Sequence, residues 1–281
     1  MAKRISTEHF RILPELRYQP TGKRVRANLG AETVVDSAAA VLVWEPGRTL
    51  PHYAVPAGDL KAELLPAEPQ RGEPPYQDGP GGIRMIVPPA DFRLHTAGGE
   101  PLTVQSGEDR RESAAFRLAD ADLNFYVLLD FSAFEWWEED ERIYGHPRDP
   151  FHRVDIRPSS GQLRIEHGGQ RLAESGRFLR IFETDLPAAL YVPFADINWD
   201  LLTGSAKTSI CPYKGHASYW SLKPAASGGG GADGAGSSDA DDGADIAWAY
   251  EDPLPDSAQL SGHLSFYANR VTLTGAQASN L

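Results

Sequence analysis

The chain carries one stretch of sequence twice, first as Val25-Arg26-Ala27-Asn28-Leu29-Gly30 and again as Leu163-Arg164-Ile165-Glu166-His167-Gly168. The resemblance continues beyond each copy with an acid followed by serine, an aromatic residue followed by glutamate, and a Pro-x-x-Asp-x-x-x-x-Leu-Leu tail. The spacings between these features are the same in both copies except for a difference of one residue before the tail. The matched residues are Asp36, Ser37, Trp44, Glu45, Pro56, Asp59, Leu64 and Leu65 in the first copy, and Glu174, Ser175, Phe182, Glu183, Pro193, Asp196, Leu201 and Leu202 in the second. A repeat of this length indicates a duplicated module, so we expect two related domains.

Apolar and polar residues alternate at the start of both copies, and glycine ends each run. A period of two is typical of half-buried strands. The next runs, 41–44 and 178–182, are rich in β-branched and aromatic residues, which favour strands. Pro56 and Pro193 then end the pairing, because proline has no backbone N–H to donate. The sequence therefore predicts a mostly β protein of antiparallel sheets with few short helices.

Length and composition permit two domains, because 281 residues with 41% hydrophobic content can bury two separate cores. The predicted organisation is an N-terminal arm at residues 1–23, a first domain at 24–131, an ordered interdomain segment at 132–160 and a second domain at 161–281. Residues 225–245 are mainly Gly, Ala, Ser and Asp, so we expect a disordered acidic loop there.

Charge and cysteine content narrow the class of protein. The net charge of -12 disfavours a nucleic-acid partner, which binds through clustered Lys and Arg. The single cysteine, Cys211, excludes an intramolecular disulfide. Residues 1–10 lack the apolar core of a signal peptide, and no stretch approaches eighteen apolar residues. We therefore expect a cytoplasmic protein with no membrane partner, no metal and no cofactor, while the oligomeric state stays open.

The segment between the copies is rich in aromatic residues and proline, which is not the composition of a flexible linker. One interpretation gives His146 and His152, with nearby carboxylates, a metal-binding or acid-base role. The other, which we favour, is an ion-pair latch that docks the two domains over buried tryptophans. The residues of this latch would be Trp136, Trp137, Arg148, Asp149, Arg153 and Asp155.

The second copy carries a motif that the first copy lacks. It comprises Cys211-Pro212-Tyr213-Lys214-Gly215, Ala217-Ser218-Tyr219-Trp220 and, after the acidic loop, Ala247-Trp248-Ala249-Tyr250. Together with Asp200-Leu201-Leu202, these residues resemble the bacterial family of domain of unknown function 427 (DUF427), and the chain resembles the tandem form of that family. The resemblance implies β-tent-like domains, in which two antiparallel sheets meet at an angle with a pocket between them. Relatives of that architecture often hold a structural zinc with paired cysteines, but a single cysteine predicts no such zinc here.

Small-molecule binding in the second domain is the function that these residues favour. The candidate ligand-binding residues are Tyr213, Lys214, Tyr219, Trp220, Trp248 and Tyr250. Aromatic walls with a few polar groups suit a small-ligand pocket. Lys214 is the only positive charge in this set, so we expect it to attract an acidic or carbonyl group of the ligand. Because side chains alternate along a strand, Trp220 is expected to point away from Tyr219.

Two alternatives stay open. Cys211 could be the nucleophile of a hydrolase or transferase, with Lys214 stabilising its thiolate, although a small buried thiol is the simpler interpretation. The interdomain segment could instead make the protein an interaction scaffold. Nucleotidyl transfer is discounted, because it needs a Gly-Ser turn followed closely by Asp-x-Asp. Here Gly204-Ser205 is followed only much later by Asp239 and Asp241.

Overall fold

The computed structural model of the protein describes residues 2–224 and 243–275. They belong to two compact units, Met1–Asp149 and Pro150–Leu281. Strands dominate both units, which confirms the predicted mostly β fold class. The acidic loop predicted at 225–245 lies outside the described residues except for 243–245, which form a turn. Among the described helices, none has the length and apolar character needed to cross a membrane.

The first unit combines one short helix with antiparallel strands. Its elements are α1 (Ile5–Arg11), β1 (Arg17–Pro20), β2 (Val25–Leu29), β3 (Glu32–Ser37), β4 (Val41–Trp44), β5 (His52–Pro56), β6 (Glu63–Pro66), β7 (Tyr76–Asp78), β8 (Arg84–Ile86), β9 (Gly99–Ser106), β10 (Asp109–Leu118), β11 (Tyr126–Leu129), β12 (Glu135–Glu138) and β13 (Glu141–Ile143). Short 3-10 turns lie at Ala57–Asp59, Pro80–Gly82 and Phe131–Ala133. The sheets have the strand orders β1-β4-β5-β11-β10-β9-β6, β13-β12-β2-β3 and β7-β8.

The second unit is built around one large antiparallel sheet. Its strands are β14 (Val154–His167), β15 (Gln170–Glu183), β16 (Ala189–Pro193), β17 (Leu202–Cys211), β18 (Gly215–Leu222), β19 (Ala247–Ala249), β20 (His263–Phe266) and β21 (Thr272–Gly275), with 3-10 turns at Phe194–Asp196, Trp199–Leu201 and Pro255–Leu260. The strand order is β17-β18-β19-β20-β16-β15-β14-β21. The pairing of the long strands β14 and β15 shifts in register between Ser160 and Leu163 and again between Ile165 and Glu166.

Both units use the same strand order over the repeated region. In the first unit Val41 pairs with Ala54, and at the matching positions of the second unit Leu179 pairs with Tyr191. Continuing across the sheet, β5, β11 and β10 of the first unit correspond to β16, β20 and β19 of the second. The two copies share the same alternation of apolar and polar residues, which fixes which side chains face each core. The sequence repeat therefore corresponds to the same order of strands in both units.

The repeated serine and aspartate make the same contact in both units. Ser37 Oγ donates to Asp59 Oδ2 at 2.5 Å, and Ser175 Oγ donates to Asp196 Oδ2 at 2.6 Å. Each serine oxygen also accepts a hydrogen bond of 3.1 Å from the backbone N–H two residues further along the chain. These bonds tie the second repeated strand to the 3-10 turn that follows proline, which explains why the duplicated positions carry these residue types.

Removing either serine hydroxyl is expected to have a similar cost. Ser37→Ala and Ser175→Ala should each lower the free energy of unfolding by about 2 kcal/mol, because each leaves a partly buried carboxylate without its donor. Urea unfolding monitored by circular dichroism measures this effect, and Ser6→Ala at an exposed helical position is the matched control. A loss in only one of the two serine variants would contradict an equivalent role.

Candidate functional site

One face of the second unit's sheet carries a row of aromatic and polar side chains. Across neighbouring strands, Tyr191 is paired with Ser265, Ser265 with Trp248, and Trp248 with Tyr219. Directly opposite residues of antiparallel strands project to the same face. These four residues, from β16, β20, β19 and β18, therefore form one continuous line, which we call the aromatic row.

Hydrogen bonds and ring contacts fix the aromatic row. Trp248 Nε1 donates to the Tyr191 hydroxyl at 2.8 Å, and the Tyr219 hydroxyl shares a hydrogen bond of 2.8 Å with Ser209 Oγ. The ring of Tyr267 lies 4.5 Å from that of Trp248, centroid to centroid. Tyr191 and Tyr219 are buried, whereas Trp248 and Tyr267 are half-buried. The row thus combines hydroxyl groups that are fixed by hydrogen bonds with an indole ring that is partly accessible to solvent.

Three phenols at the row, those of Tyr191, Tyr250 and Tyr267, stay protonated at neutral pH. Burial raises the pKa of Tyr191 and of Tyr250 far above the ordinary value, and it raises the pKa of Tyr267 to about 12. A protonated phenol retains its O–H donor. Ser265 is fully buried in the same row, and within residues 2–224 and 243–275 its Oγ has no hydrogen-bond partner.

The lysine of the Cys-Pro-Tyr-Lys-Gly motif forms a buried ion pair. Lys214 Nζ donates to Glu183 Oε1 at 2.6 Å, and each side chain is 10% exposed. His152 Nε2 lies 3.4 Å from the other oxygen of Glu183, while its ring lies 4.5 Å from that of Tyr213. Lys214 Nζ also lies 5.7 Å from the centroid of the Tyr250 ring. The motif thus supplies one partner of a buried carboxylate.

Glu183 is ionised in this environment. Burial acts to raise its pKa, but the hydrogen bond with His152 and the charge and hydrogen bond of Lys214 together outweigh burial and hold the pKa below its ordinary value. Lys214 is therefore already neutralised by a carboxylate. The acidic group that Lys214 contacts in this structure is thus a side chain of the protein itself, whereas the sequence led us to expect an acidic or carbonyl group of a ligand.

The second unit matches a known protein family. Residues 155–276 match the family described as Domain of unknown function (DUF427). We call the unit that contains this match the DUF427 domain. The match covers the second copy, on whose motif the resemblance rests, and the comparison with curated proteins found no match for the chain.

The first unit buries a glutamate at the position that corresponds to Glu183 of the DUF427 domain. Glu45 Oε2 lies 3.1 Å from His95 Nδ1, and Glu45 Oε1 accepts hydrogen bonds from the backbone N–H groups of Thr96 and Ala97. Burial acts to raise the pKa of Glu45, and His95 and Arg48 counter it and hold the pKa low. In both units the connection between corresponding strands, β6 to β9 or β17 to β18, delivers a basic partner to this carboxylate.

The row that corresponds to the aromatic row is apolar and covered in the first unit. Its members are Ala54, Leu128, Phe116 and Pro101, in register across β5, β11, β10 and β9. The ring of His95 stacks on Phe116 with centroids 3.5 Å apart and planes 13° from parallel, and Phe116 is 3% exposed. In the DUF427 domain the corresponding connection is the short turn 212–214. Among the described residues, the ring of Trp248 contacts those of Tyr191 and Tyr267.

The other predicted ligand-binding residues are divided between two locations. Tyr213 lies against His152, and Tyr250 is buried beside Lys214. Trp220 lies on the opposite face of the sheet, where its ring is 5.9 Å from that of Trp199, as alternation along the strand predicts. Trp220 is therefore separate from the aromatic row. Cys211 is half-buried at the end of β17 and packs against the core on the side of the aromatic row.

The residues of the predicted interdomain segment lie in both units. Trp136 is 1% exposed in the core of the first unit, and the guanidinium of Arg142 lies 5.6 Å from the ring of Trp137. His146 Nδ1 contacts the Pro147 carbonyl. Arg148 and Asp149 end the first unit, while Arg153 and Arg157 of the second unit both pair with Asp155 at 2.7 Å. Over the part of the chain that the structure describes, no group of three or more His, Cys, Asp or Glu side chains could hold a metal ion.

Several site residues were not selected from the sequence as ligand-binding. They are His152, Glu183, Tyr191, Ser209, Ser265 and Tyr267. One signal for Glu183 was present, because the repeat places a glutamate directly after an apolar strand in both copies. A carboxylate that continues a buried strand needs a partner, and that requirement points to a buried ion pair.

Proposed function

We propose that the DUF427 domain binds a small molecule on the aromatic row. The observation that carries this proposal is the difference between two corresponding sheet faces. In the first unit the row is apolar, and the chain's own His95 covers it. In the DUF427 domain the same positions hold Tyr191, Ser265 and Trp248, and the indole is half-buried.

The polar groups of the row are not required to build the fold. The apolar row of the first unit forms the same strand order without them. Burying a hydroxyl costs free energy unless the hydroxyl is hydrogen-bonded, and Ser265 Oγ has no such partner within the described residues. A ligand that interacts with these groups gives them a role that folding alone does not supply.

The geometry suits a ligand with a flat surface. Trp248 offers a half-buried indole plane, with Tyr267 beside it at 4.5 Å. Aromatic pairs contribute about 0.5 to 1.5 kcal/mol beyond the area they bury. The phenol hydroxyls nearby supply directional hydrogen bonds, which orient a ligand in a largely apolar site.

A thermal-shift screen of a metabolite library tests this proposal. The full chain, Trp248→Leu and Phe116→Leu are screened in parallel, and Phe116 is the matched control because it holds the corresponding position in the first unit. We expect compounds that raise the melting temperature of the wild-type protein and of Phe116→Leu but not that of Trp248→Leu. If every stabilising compound acts equally on all three proteins, the aromatic row is not the binding site.

A further inference from the structure

Building on the proposed function, we infer that the ligand of the aromatic row is an uncharged planar nitrogen heterocycle with a hydrogen-bond acceptor, which takes the place that the His95 ring takes in the first unit.

The first unit provides a template for the occupant. Its connection 67–98 carries His95 onto Phe116 in parallel stacking at 3.5 Å, and Arg48 Nη2 anchors this segment by donating to the carbonyl oxygens of Asp91 and Leu94. The imidazole is thus a planar nitrogen heterocycle that covers the row and contacts the buried Glu45 at the same time.

The connection that carries the covering ring in the first unit is short in the DUF427 domain. Residues 212–214 link β17 to β18, and they deliver Lys214 to Glu183. Within the described residues, the ring contacts of Trp248 come only from Tyr191 and Tyr267, which belong to neighbouring parts of the same sheet. A separate planar molecule can therefore stack on Trp248 as His95 stacks on Phe116.

The charges at the site favour a neutral ligand. The buried carboxylate of Glu183 already has Lys214 at 2.6 Å and His152 at 3.4 Å. A charged ligand would lose hydration without gaining an unopposed counter-ion, and an unpaired charge in a buried site is costly.

The hydroxyls at the site favour a ligand that accepts hydrogen bonds. The Tyr191 hydroxyl accepts a bond from Trp248 Nε1, which leaves its own O–H as a donor. Burial keeps the phenols of Tyr191 and Tyr250 protonated at neutral pH. A ring nitrogen or carbonyl oxygen in the plane of the ligand satisfies such donors, whereas a pure hydrocarbon leaves them unpaired.

Three matched probes distinguish these features: benzimidazole, indole and benzimidazole-5-carboxylate. Indole has the same shape as benzimidazole but lacks the acceptor nitrogen, and the carboxylate adds a negative charge. Isothermal titration calorimetry of the full chain at pH 7.5 should give a dissociation constant for benzimidazole about tenfold lower than for either of the others, since an unpaired donor in the site discriminates strongly. Trp248→Leu should weaken benzimidazole binding about tenfold, and Phe116→Leu should leave it unchanged.

The outcomes separate the ligand class from the site. If indole or the carboxylate binds as tightly as benzimidazole or more tightly, and Trp248→Leu loses this binding, the ligand is not a neutral heterocycle with an acceptor. Small-molecule binding on the row would still be supported. Absence of Trp248-dependent binding by any of the three probes also overturns the ligand class. The proposed function itself fails only if the library screen also yields no compound whose effect depends on Trp248.

Discussion

Replacing Lys214 with alanine is expected to destabilise the DUF427 domain by about 3 to 5 kcal/mol, because the change leaves the buried Glu183 carboxylate without its closest counter-ion. His152 remains as a basic partner at 3.4 Å from Glu183, so we expect the loss of stability to lie near the lower end of that range. Urea unfolding at pH 7.5, followed by tryptophan fluorescence and circular dichroism, measures the loss.

The double variant Lys214→Ala with Glu183→Gln is the control for this effect. Removing both charges eliminates the uncompensated carboxylate, so most of the lost stability should return. If the free energy of unfolding of Lys214→Ala lies within about 0.5 kcal/mol of the wild-type value, as expected for loss of an exposed ion pair, the pair is not buried in solution. An unchanged stability would instead leave Lys214 available to attract an acidic or carbonyl group of a ligand, as the sequence predicts.

Acidification from pH 7 to pH 4 is expected to destabilise the first unit through His52 by about 3 kcal/mol. Both ring nitrogens of His52 are buried and lack hydrogen-bond partners within the described residues. Burial, with a smaller effect from the charge of Arg48, lowers the pKa of His52 from 6.5 to about 3. A lowered pKa means that the unfolded chain binds the proton first. This contribution to stability is therefore complete above pH 6.5 and is lost progressively as the pH falls toward 3.

His52→Leu isolates this contribution from the other groups that titrate. Leucine fills a similar volume, and within the described residues the imidazole has no hydrogen bond that the substitution would break. The variant should therefore match or exceed wild-type stability at pH 7 and lose less stability at pH 4. Parallel stability curves for the two proteins between pH 7 and pH 4 would show that His52 does not remain neutral in the folded state.

The strands and their faces could be predicted from the sequence because they depend on local patterns. Alternation beginning at Val25 and Leu163 fixes which residues are buried, and alternation along β18 places Trp220 opposite Tyr219. The strand registers place Phe116 and Trp248 at corresponding positions of the two units.

The electrostatics of the site could not be predicted, because they depend on contacts between distant parts of the chain. Glu183 lies 31 residues from both His152 and Lys214 in sequence, and only the folded arrangement of the chain brings the three side chains together. The cover that His95 forms over Phe116 likewise depends on the path of the connection 67–98. The sequence shows that the second copy carries a Cys-Pro-Tyr-Lys-Gly motif that the first copy lacks. It does not indicate that one connection carries a stacking ring to the sheet and the other an ammonium.

Ligand binding on the aromatic row is tested most directly by the indole N–H signals of the 15N-labelled full chain. The protein has six tryptophans, and Trp248→Phe assigns the signal of Trp248 by its disappearance. Addition of benzimidazole should shift the Trp248 signal progressively to saturation, while the signal of Trp220, on the opposite face, stays in place. A Trp248 signal that remains fixed with benzimidazole and with every compound that stabilises the protein in the thermal-shift screen would contradict binding at this row.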